Sequence, residues 1–175
     1  MDRTIKKYVI PLIMVIVITS AAYLYCENSQ QQEATENLSI GVTAGYRAMD
    51  LLLTGLDGGT MKLSDYRGDI LIVDFMAPWC NPCKEQIKVL REVENTLGVT
   101  IISINVDSDY NATYLRKFKE REGMSWPLAS SSEAAQNYKV TGIPLIIFVD
   151  KAGVIRYRGY YTSLTQFEQL VNSYR

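Results

Sequence analysis

The chain has 175 residues, enough for one domain with its own hydrophobic core and a short additional segment. Its 18 lysine and arginine residues balance 19 aspartate and glutamate residues, so no basic surface for nucleic acid is expected. The absence of histidine excludes Ser-His-Asp and Cys-His catalytic systems and histidine-ligated metal sites. Three cysteines are too few for an all-cysteine zinc site, which needs four thiolates, and we expect no metal.

An apolar stretch near the N-terminus has the length of a membrane-spanning helix. Residues 8–25 carry no charged side chain and follow Arg3, Lys6 and Lys7. Positive charge before a span keeps that end in the cytoplasm. We therefore expect residues 1–25 to form a single-pass membrane anchor, with the N-terminus cytoplasmic and the remaining domain outside. A cleaved signal peptide is the alternative, although the stretch is long for one and lacks a small-x-small cleavage site.

A polar segment and then a folded domain are predicted after the anchor. Residues 26–45 are polar, rich in Gln and Glu and without apolar periodicity, which predicts a flexible linker. Residues 46–175 then alternate apolar runs, turn signals and amphipathic stretches, which predicts an α/β domain. At its start, residues 51–53 and 61–63 flank an Asp-Gly-Gly turn and predict a hairpin.

The middle of the domain has the pattern of a strand, a turn and a helix. Residues 70–76 form a buried-type strand, and the helix that follows the turn keeps helical apolar spacing until Gly98 ends it. Ser163 and Gln166 form a capping box that opens the final helix. The other strands are predicted at residues 99–106, 143–149 and 154–160, and the other helices at residues 110–122 and 133–138.

The reactive residues lie at the turn before that first helix, in residues 79–84 (WCNPCK). Unpaired backbone N–H groups and the positive end of the helix dipole favour a thiolate at this place, so Cys80 is the predicted nucleophile. Cys83, one turn further on the same face, can close a disulfide with Cys80. Half of a zinc site or an inert pair is the alternative, but no second ligand pair exists in the sequence.

Two further segments give the chain a resemblance to the thioredoxin superfamily. Residues 70–80 resemble the family's central strand and active-site entry, with Asp74 at the position of a buried carboxylate. Residues 140–144 resemble its cis-proline loop. The resemblance implies that Ile143 and Pro144 bind substrate backbone beside the cysteines and that Trp79 shields the disulfide. Because an unpaired buried carboxylate is costly, we expect Asp74 to transfer protons.

Within the superfamily, the chain resembles the membrane-anchored TlpA/ResA-like thiol-disulfide oxidoreductases. The apolar N-terminus, the opening at residues 56–68 and an insert between Asp107 and Val140 carry this resemblance. Three positions depart from the relatives. Many TlpA-like proteins have Asn in place of Asp74 and Glu in place of Asn81, and Ser103 occupies the place of the lysine that accompanies thioredoxin's buried aspartate.

The resemblance implies an α/β, thioredoxin-like fold with a central mixed sheet flanked by helices, a hairpin at its start and a helical insert, preceded by one transmembrane helix. It implies an extracytoplasmic, membrane-tethered oxidoreductase that reduces or exchanges disulfides of client proteins through Cys80 and Cys83. The cysteine pair would be its redox group, with no other cofactor, and a thiol electron donor would be its second partner. Peroxiredoxin-like peroxide reduction and non-catalytic binding of a metal or apocytochrome are the alternatives.

Overall fold

The structure is a computed structural model that describes residues 3–36 and 38–175. It has two compact units, one ending at Leu38 and one running from Ser39 to Arg175. Residues 1, 2 and 37, which belong to the predicted anchor and linker, lie outside the described residues.

The first unit contains one long helix, α1 (Arg3–Glu36). It includes the uncharged part of the predicted anchor, residues 8–25, and continues into the segment predicted to be a flexible linker. Glu and Gln are good helix formers, so a polar segment without apolar periodicity can extend a helix that has already begun. Among the residues that the structure describes, no helix has a stretch long and apolar enough to cross a membrane. The membrane anchor stays a prediction.

The second unit alternates strands and helices, and the elements that the sequence predicts have boundaries within about two residues of the predicted ones. Its strands are β1 (Ile40–Gly41), β2 (Arg47–Ala48), β3 (Leu52–Thr54), β4 (Thr60–Lys62), β5 (Leu71–Met76), β6 (Thr100–Asn105), β7 (Leu128–Ser130), β8 (Leu145–Val149) and β9 (Ile155–Gly159). Its helices are α2 (Asn81–Leu97), α3 (Ala112–Arg121), α4 (Ser132–Asn137) and α5 (Leu164–Tyr174), with a 3-10 turn at Leu63–Tyr66.

Five strands form the central sheet in the order β7-β6-β5-β8-β9. The β5 strand pairs parallel with β6 and antiparallel with β8, which gives the mixed sheet that the sequence predicts. All residues of β5 are buried because helices or the hairpin cover both faces. Successive side chains of a strand point to opposite faces, so Ile72, Asp74 and Met76 lie on the face covered by α2.

The insert between Asp107 and Val140 differs from the prediction of a helical insert. It contains α3 and α4, but the edge strand β7 lies between them and pairs parallel with β6. Three residues are too few to show strand alternation in a sequence, which is why this strand was not predicted. Gly55, next to the hairpin of β3 and β4, bridges to Ala129 and covers part of the exposed edge.

The folded unit also begins earlier than the predicted boundary at residue 46. The β1 and β2 strands pair with each other in parallel, and β1 lies within the predicted linker. Arg158 of β9 donates hydrogen bonds to the carbonyl oxygens of Val42, at 3.0 Å, and Tyr138, at 2.8 Å. The Val42 contact and the pairing of β1 use backbone groups of the linker, so polar composition gives no sign of them.

A buried glutamine fastens α2 to the segment before α5. The Gln86 side chain donates from Nε2 to the Thr162 carbonyl oxygen at 3.0 Å and accepts from the Thr162 amide at 2.7 Å. Both residues are fully buried, so these bonds satisfy two backbone groups that have lost contact with water. The interaction fixes the helix that carries the two cysteines.

We expect Gln86→Met to lower the free energy of unfolding by about 2–4 kcal/mol, because methionine leaves the amide and carbonyl groups of Thr162 buried without partners. Urea unfolding of the full chain, followed by circular dichroism, measures this. Gln169→Met, at an exposed position of α5, is the matched control and should change stability by less than about 0.5 kcal/mol. Equal stability of the two variants would contradict the structural role given to Gln86.

Candidate active site

The first cysteine occupies the cap of the helix that follows the central strand. Cys80 is the N-cap residue of α2, and its Sγ accepts a hydrogen bond from the Cys83 amide at 3.2 Å. Pro82 lies in the first turn, where the missing N–H of proline costs no helical hydrogen bond. Backbone donors and the helix dipole at this end stabilise negative charge on the Cys80 sulfur.

Cys80 and Cys83 form a disulfide, with the two Sγ atoms 2.09 Å apart. Cys80 keeps 4% of its surface exposed, whereas Cys83 is fully buried. Thiol-disulfide exchange requires an attacking sulfur to reach the disulfide in line, so an external thiol reaches Cys80 first. The assignment of Cys80 as the sulfur that exchanges with partners, and of Cys83 as the one that acts inside the protein, stays a prediction.

The loop before β8 lies directly against the disulfide. The Ile143–Pro144 peptide bond is cis, as the sequence predicts. The Ile143 carbonyl oxygen is 3.8 Å from Cys80 Sγ. Pro144 is buried and Ile143 is half-buried.

Trp79 is held at the rim of the site by a residue that sequence reasoning missed. Its ring is 57% exposed, and its Nε1 donates to Asp107 Oδ2 at 2.8 Å. Asp107 follows β6, the parallel neighbour of β5, and the Asn105 side chain holds its backbone. Because parallel strands end at the same edge of a sheet, the position of Asp107 after β6 was a usable signal.

A second missed residue lies beside the cis-proline loop. The Tyr160 ring, 58% exposed, packs so closely on Gly142 that a Cβ added there would lie 3.1 Å from its Cε1 atom. The Tyr160 hydroxyl is 3.5 Å from Thr141 Oγ1. Tyr160 follows β9, far from Gly142 in the sequence, and only the pairing of β8 with β9 brings them together. Nothing in the local sequence pattern signals this contact.

Asp74 is fully buried in the middle of the sheet, on the face covered by α2. Its Oδ2 accepts a hydrogen bond from Ser103 Oγ at 2.9 Å, and Ser103 is its partner in the β5–β6 register, as the sequence predicts. Within the described part of the chain, Asp74 Oδ1 has no hydrogen-bond partner. Burial raises the pKa of Asp74 to about 7, although the Ser103 hydrogen bond favours the carboxylate and opposes this shift.

Residues 44–158 match the AhpC/TSA family. The chain belongs to this family. The thiol-disulfide oxidoreductase ResA of Geobacillus kaustophilus is 31% identical over 127 residues, covering 70% of this chain and 71% of that protein. The thioredoxin-like protein YneN of Bacillus subtilis is 20% identical over 156 residues, covering 87% and 88%. The thioredoxin domain of a Bacteroides vulgatus thiol-disulfide oxidoreductase superposes with a TM-score of 0.66 at 20% identity, covering 77% and 100%.

These likenesses confirm the predicted thioredoxin-like fold and identify this AhpC/TSA family member as a protein disulfide oxidoreductase. The disulfide of Cys80 and Cys83 can accept two electrons and two protons, which is the number that the reduction or formation of one disulfide bond transfers. Among the residues described, no cluster of three or more metal-ligating side chains occurs. The roles of Asp74, Ile143 and Pro144 in the reaction stay predictions.

The raised pKa of Asp74 predicts a pH-dependent stability. Its folded-state pKa of about 7 lies above the unfolded value of about 3.9, so the protonated carboxyl favours the folded state. This stability is fully present below about pH 4 and is lost as the pH rises through about 7. Asp74→Asn, which cannot ionise, should therefore exceed the wild type by about 2–4 kcal/mol at pH 8 and by much less at pH 4.5.

Urea unfolding of the oxidised chain at the two pH values measures this difference. Asp69→Asn, at an exposed position just before β5, is the matched control and should show no comparable pH dependence. The same stabilisation by Asp74→Asn at both pH values would mean that the Asp74 carboxyl does not change its charge between pH 4.5 and pH 8. That result would contradict the raised pKa.

Proposed function

We propose that the protein reduces or exchanges disulfide bonds of client proteins outside the cytoplasm, tethered to a membrane by residues 8–25. The observation that supports the chemistry is the position of Cys80. It is the more accessible sulfur of the pair, it caps the N-terminus of α2, and it lies 3.8 Å from the carbonyl oxygen of Ile143. A client backbone that binds along Ile143 and Pro144 would present its own disulfide to this sulfur.

The reaction proceeds in two exchanges. In the reduced protein, the Cys80 thiolate attacks a client disulfide, forms a mixed disulfide with one client sulfur and releases the other as a thiolate, which takes up a proton from water. Cys83 then loses its proton and attacks Cys80 Sγ, which closes the Cys80–Cys83 bond and releases the second client sulfur. The client gains two electrons and the protein loses two, which a thiol electron donor returns by the reverse exchange.

Asp74 is the proposed acceptor of the Cys83 proton. A free thiol has a pKa of about 8.5 and one in apolar surroundings is more reluctant to ionise, so Cys83 is mostly protonated at neutral pH. Asp74 lies on the sheet face that α2 covers, and Cys83 is part of the same buried core. A carboxyl with a pKa of about 7 is near the operating pH, which suits a general base.

The direction of the reaction is proposed to be reduction or exchange rather than strong oxidation. The residues between the cysteines are Asn81 and Pro82, and neither is a histidine that would further stabilise the Cys80 thiolate. A less stabilised thiolate makes the disulfide form less oxidising. We therefore expect a reduction potential nearer to that of thioredoxin, about −270 mV, than to that of DsbA, about −120 mV.

The membrane tether is proposed from the N-terminal sequence. Residues 8–25 are uncharged and follow three basic residues, and the side chains of residues 12–18 are each more than half exposed along α1. Exposed aliphatic side chains in such a row are favourable in lipid and unfavourable in water. In the proposed topology, the basic flank favours a cytoplasmic N-terminus, which would put the catalytic unit on the other side of the membrane.

Trapping of clients tests the chemistry. Cys83→Ser should accumulate client proteins in disulfide linkage to Cys80, because the second exchange has no attacking sulfur. Cys80→Ser, the matched control, should trap none. Neither variant should catalyse the reduction of insulin disulfides with a small-molecule thiol as electron donor. Equal trapping on both variants would overturn the assignment of Cys80. Wild-type protein that consumes peroxide but does not reduce insulin would favour the peroxidase alternative, and binding without turnover would favour the metal or apocytochrome alternative.

Protease accessibility tests the location separately. The folded unit should be cleaved by protease added to intact cells, and the full chain should stay with the membranes after a high-salt wash, since an apolar helix is not released by salt. Replacement of Ile13 and Val17 by aspartate should release the chain from membranes, whereas aspartate at the linker position Gln31 should not. Protection of the unit in intact cells, or release by salt, would contradict the proposed tether.

A further inference from the structure

A chain of three buried polar groups ends at Asp74. The Trp126 ring nitrogen Nε1 donates to Ser103 Oγ at 2.9 Å, and Ser103 Oγ donates to Asp74 Oδ2 at 2.9 Å. Ser103 and Asp74 are fully buried, and Trp126 is buried as well. Trp126 comes from the insert, just before β7, and Ser103 from β6, so two neighbouring strands supply the groups behind the carboxyl.

The direction of these hydrogen bonds follows from the groups themselves. The indole N–H of Trp126 can only donate, so the Ser103 oxygen must act as its acceptor. The single hydroxyl proton of Ser103 is then free to be donated, and Asp74 Oδ2 is the acceptor within reach. Donation by the indole also polarises the hydroxyl and strengthens the bond that it makes to the carboxylate.

The same directions decide which carboxyl oxygen accepts a proton. A proton on Asp74 Oδ2 would turn that oxygen into the hydroxyl oxygen of a carboxylic acid, which is a weaker acceptor for the Ser103 hydroxyl than a carbonyl oxygen is. A proton on Oδ1 disturbs no existing hydrogen bond, because Oδ1 has no partner in the described part of the chain. Protonation at Oδ1 leaves Oδ2 as the carbonyl oxygen, the stronger acceptor for the Ser103 hydroxyl, and is therefore favoured.

Among the described residues, the apolar core on that face of the sheet contains few groups that can exchange a proton. The elements packed there bring the cysteines Cys80 and Cys83 from α2 and, at the edge of the core, the partly buried tyrosines Tyr110, Tyr157 and Tyr174. Burial and the Ser103 hydrogen bond are the only causes of the shifted pKa of Asp74, with no charged neighbour among them. The Ser103 hydroxyl therefore stabilises the Asp74 carboxylate as a neighbouring cation would, but less strongly.

We propose that Ser103 and Trp126 are positioning residues that hold Asp74 through Oδ2 and thereby assign Oδ1 as the atom that takes the proton of Cys83. The catalytic consequence rests on the proposed function, whereas the hydrogen-bond chain and the protonation site do not. Neither residue touches the client or the sulfur atoms in this scheme. Both act through the carboxyl group, by fixing its orientation and its readiness to ionise.

The test compares Ser103→Ala and Trp126→Phe with the wild type in the full chain. Ser64→Ala is the matched control, because Ser64 Oγ also donates to an aspartate, Asp50 Oδ2 at 2.7 Å, at the exposed start of the 3-10 turn. The first readout is the titration of the Asp74 carboxyl carbon by NMR in the oxidised protein. The second is the pH dependence of the second exchange, measured as client release from the mixed disulfide on Cys80.

We expect Ser103→Ala to raise both midpoints by about one pH unit, because the carboxylate loses the hydrogen-bond donor that it has among the described residues. Client release at a pH below both midpoints should then fall by about tenfold. Trp126→Phe should raise both midpoints by a smaller amount, and Ser64→Ala should leave both unchanged. An unmoved carboxyl titration in folded Ser103→Ala overturns the hydrogen-bond chain. A moved titration with an unmoved release profile overturns the positioning role.

Infrared difference spectra between low and high pH test the protonation site. If Oδ1 carries the proton, the carbonyl oxygen is Oδ2, whose hydrogen bond from Ser103 lowers its stretching frequency. Ser103→Ala should then move the band of protonated Asp74 to higher frequency. An unmoved band places the proton on Oδ2 and overturns the assignment. Should the wild type prove unable to reduce insulin at all, the proposed function fails, and the NMR and infrared results still decide the hydrogen-bond chain.

Discussion

The passage of the chain from the central strand into the following helix is the constraint on which the site depends. The β5 strand is buried on both faces, so the residue after its end and the first turn of α2 have little freedom to move. Cys80 caps this helix, and the disulfide ties Cys80 to Cys83 in the first turn of the helix. Gln86 fixes the same helix further along, through the backbone of Thr162. The other side chains of the site are arranged around a sulfur atom that the fold has already placed.

The cost of burying a carboxyl group then shapes the interior. Asp74 lies where an aliphatic residue would pack well, and within the part of the chain that the structure describes no cation contributes to its pKa. One serine hydroxyl offsets only part of the lost hydration, so the group titrates near neutral pH instead of near pH 4. A lysine at position 103 would favour the carboxylate more strongly and would leave a weaker base. Serine at position 103 therefore leaves the folded protein less stable above neutral pH, but it gives Asp74 a higher affinity for a proton.

Sequence reasoning predicted the parts of this arrangement that are encoded locally. Strand β5, the helix that Gly98 ends, the cis bond before Pro144 and the place of Ser103 beside Asp74 all follow from periodicity or from family resemblance. The parts that it missed are long-range. Strand β7 is too short for a pattern, and the contacts of Asp107 and Tyr160 join residues far apart in the chain. The helix over the first half of the linker reflects good helix formers that carry no apolar stripe.

The chain contains two tryptophans, and the structure gives them different surroundings. Trp79 adjoins Cys80 and is largely exposed, so its fluorescence is open to solvent and to quenching by the neighbouring disulfide. Trp126 is buried, and its ring nitrogen is bonded to the serine that contacts Asp74. The two indoles thus adjoin different groups, one the sulfur pair and the other, through Ser103, the interior carboxyl. We therefore expect the long-wavelength part of the tryptophan emission to respond to the redox state of the cysteine pair and the short-wavelength part to respond to the ionisation of Asp74, in the unlabelled protein.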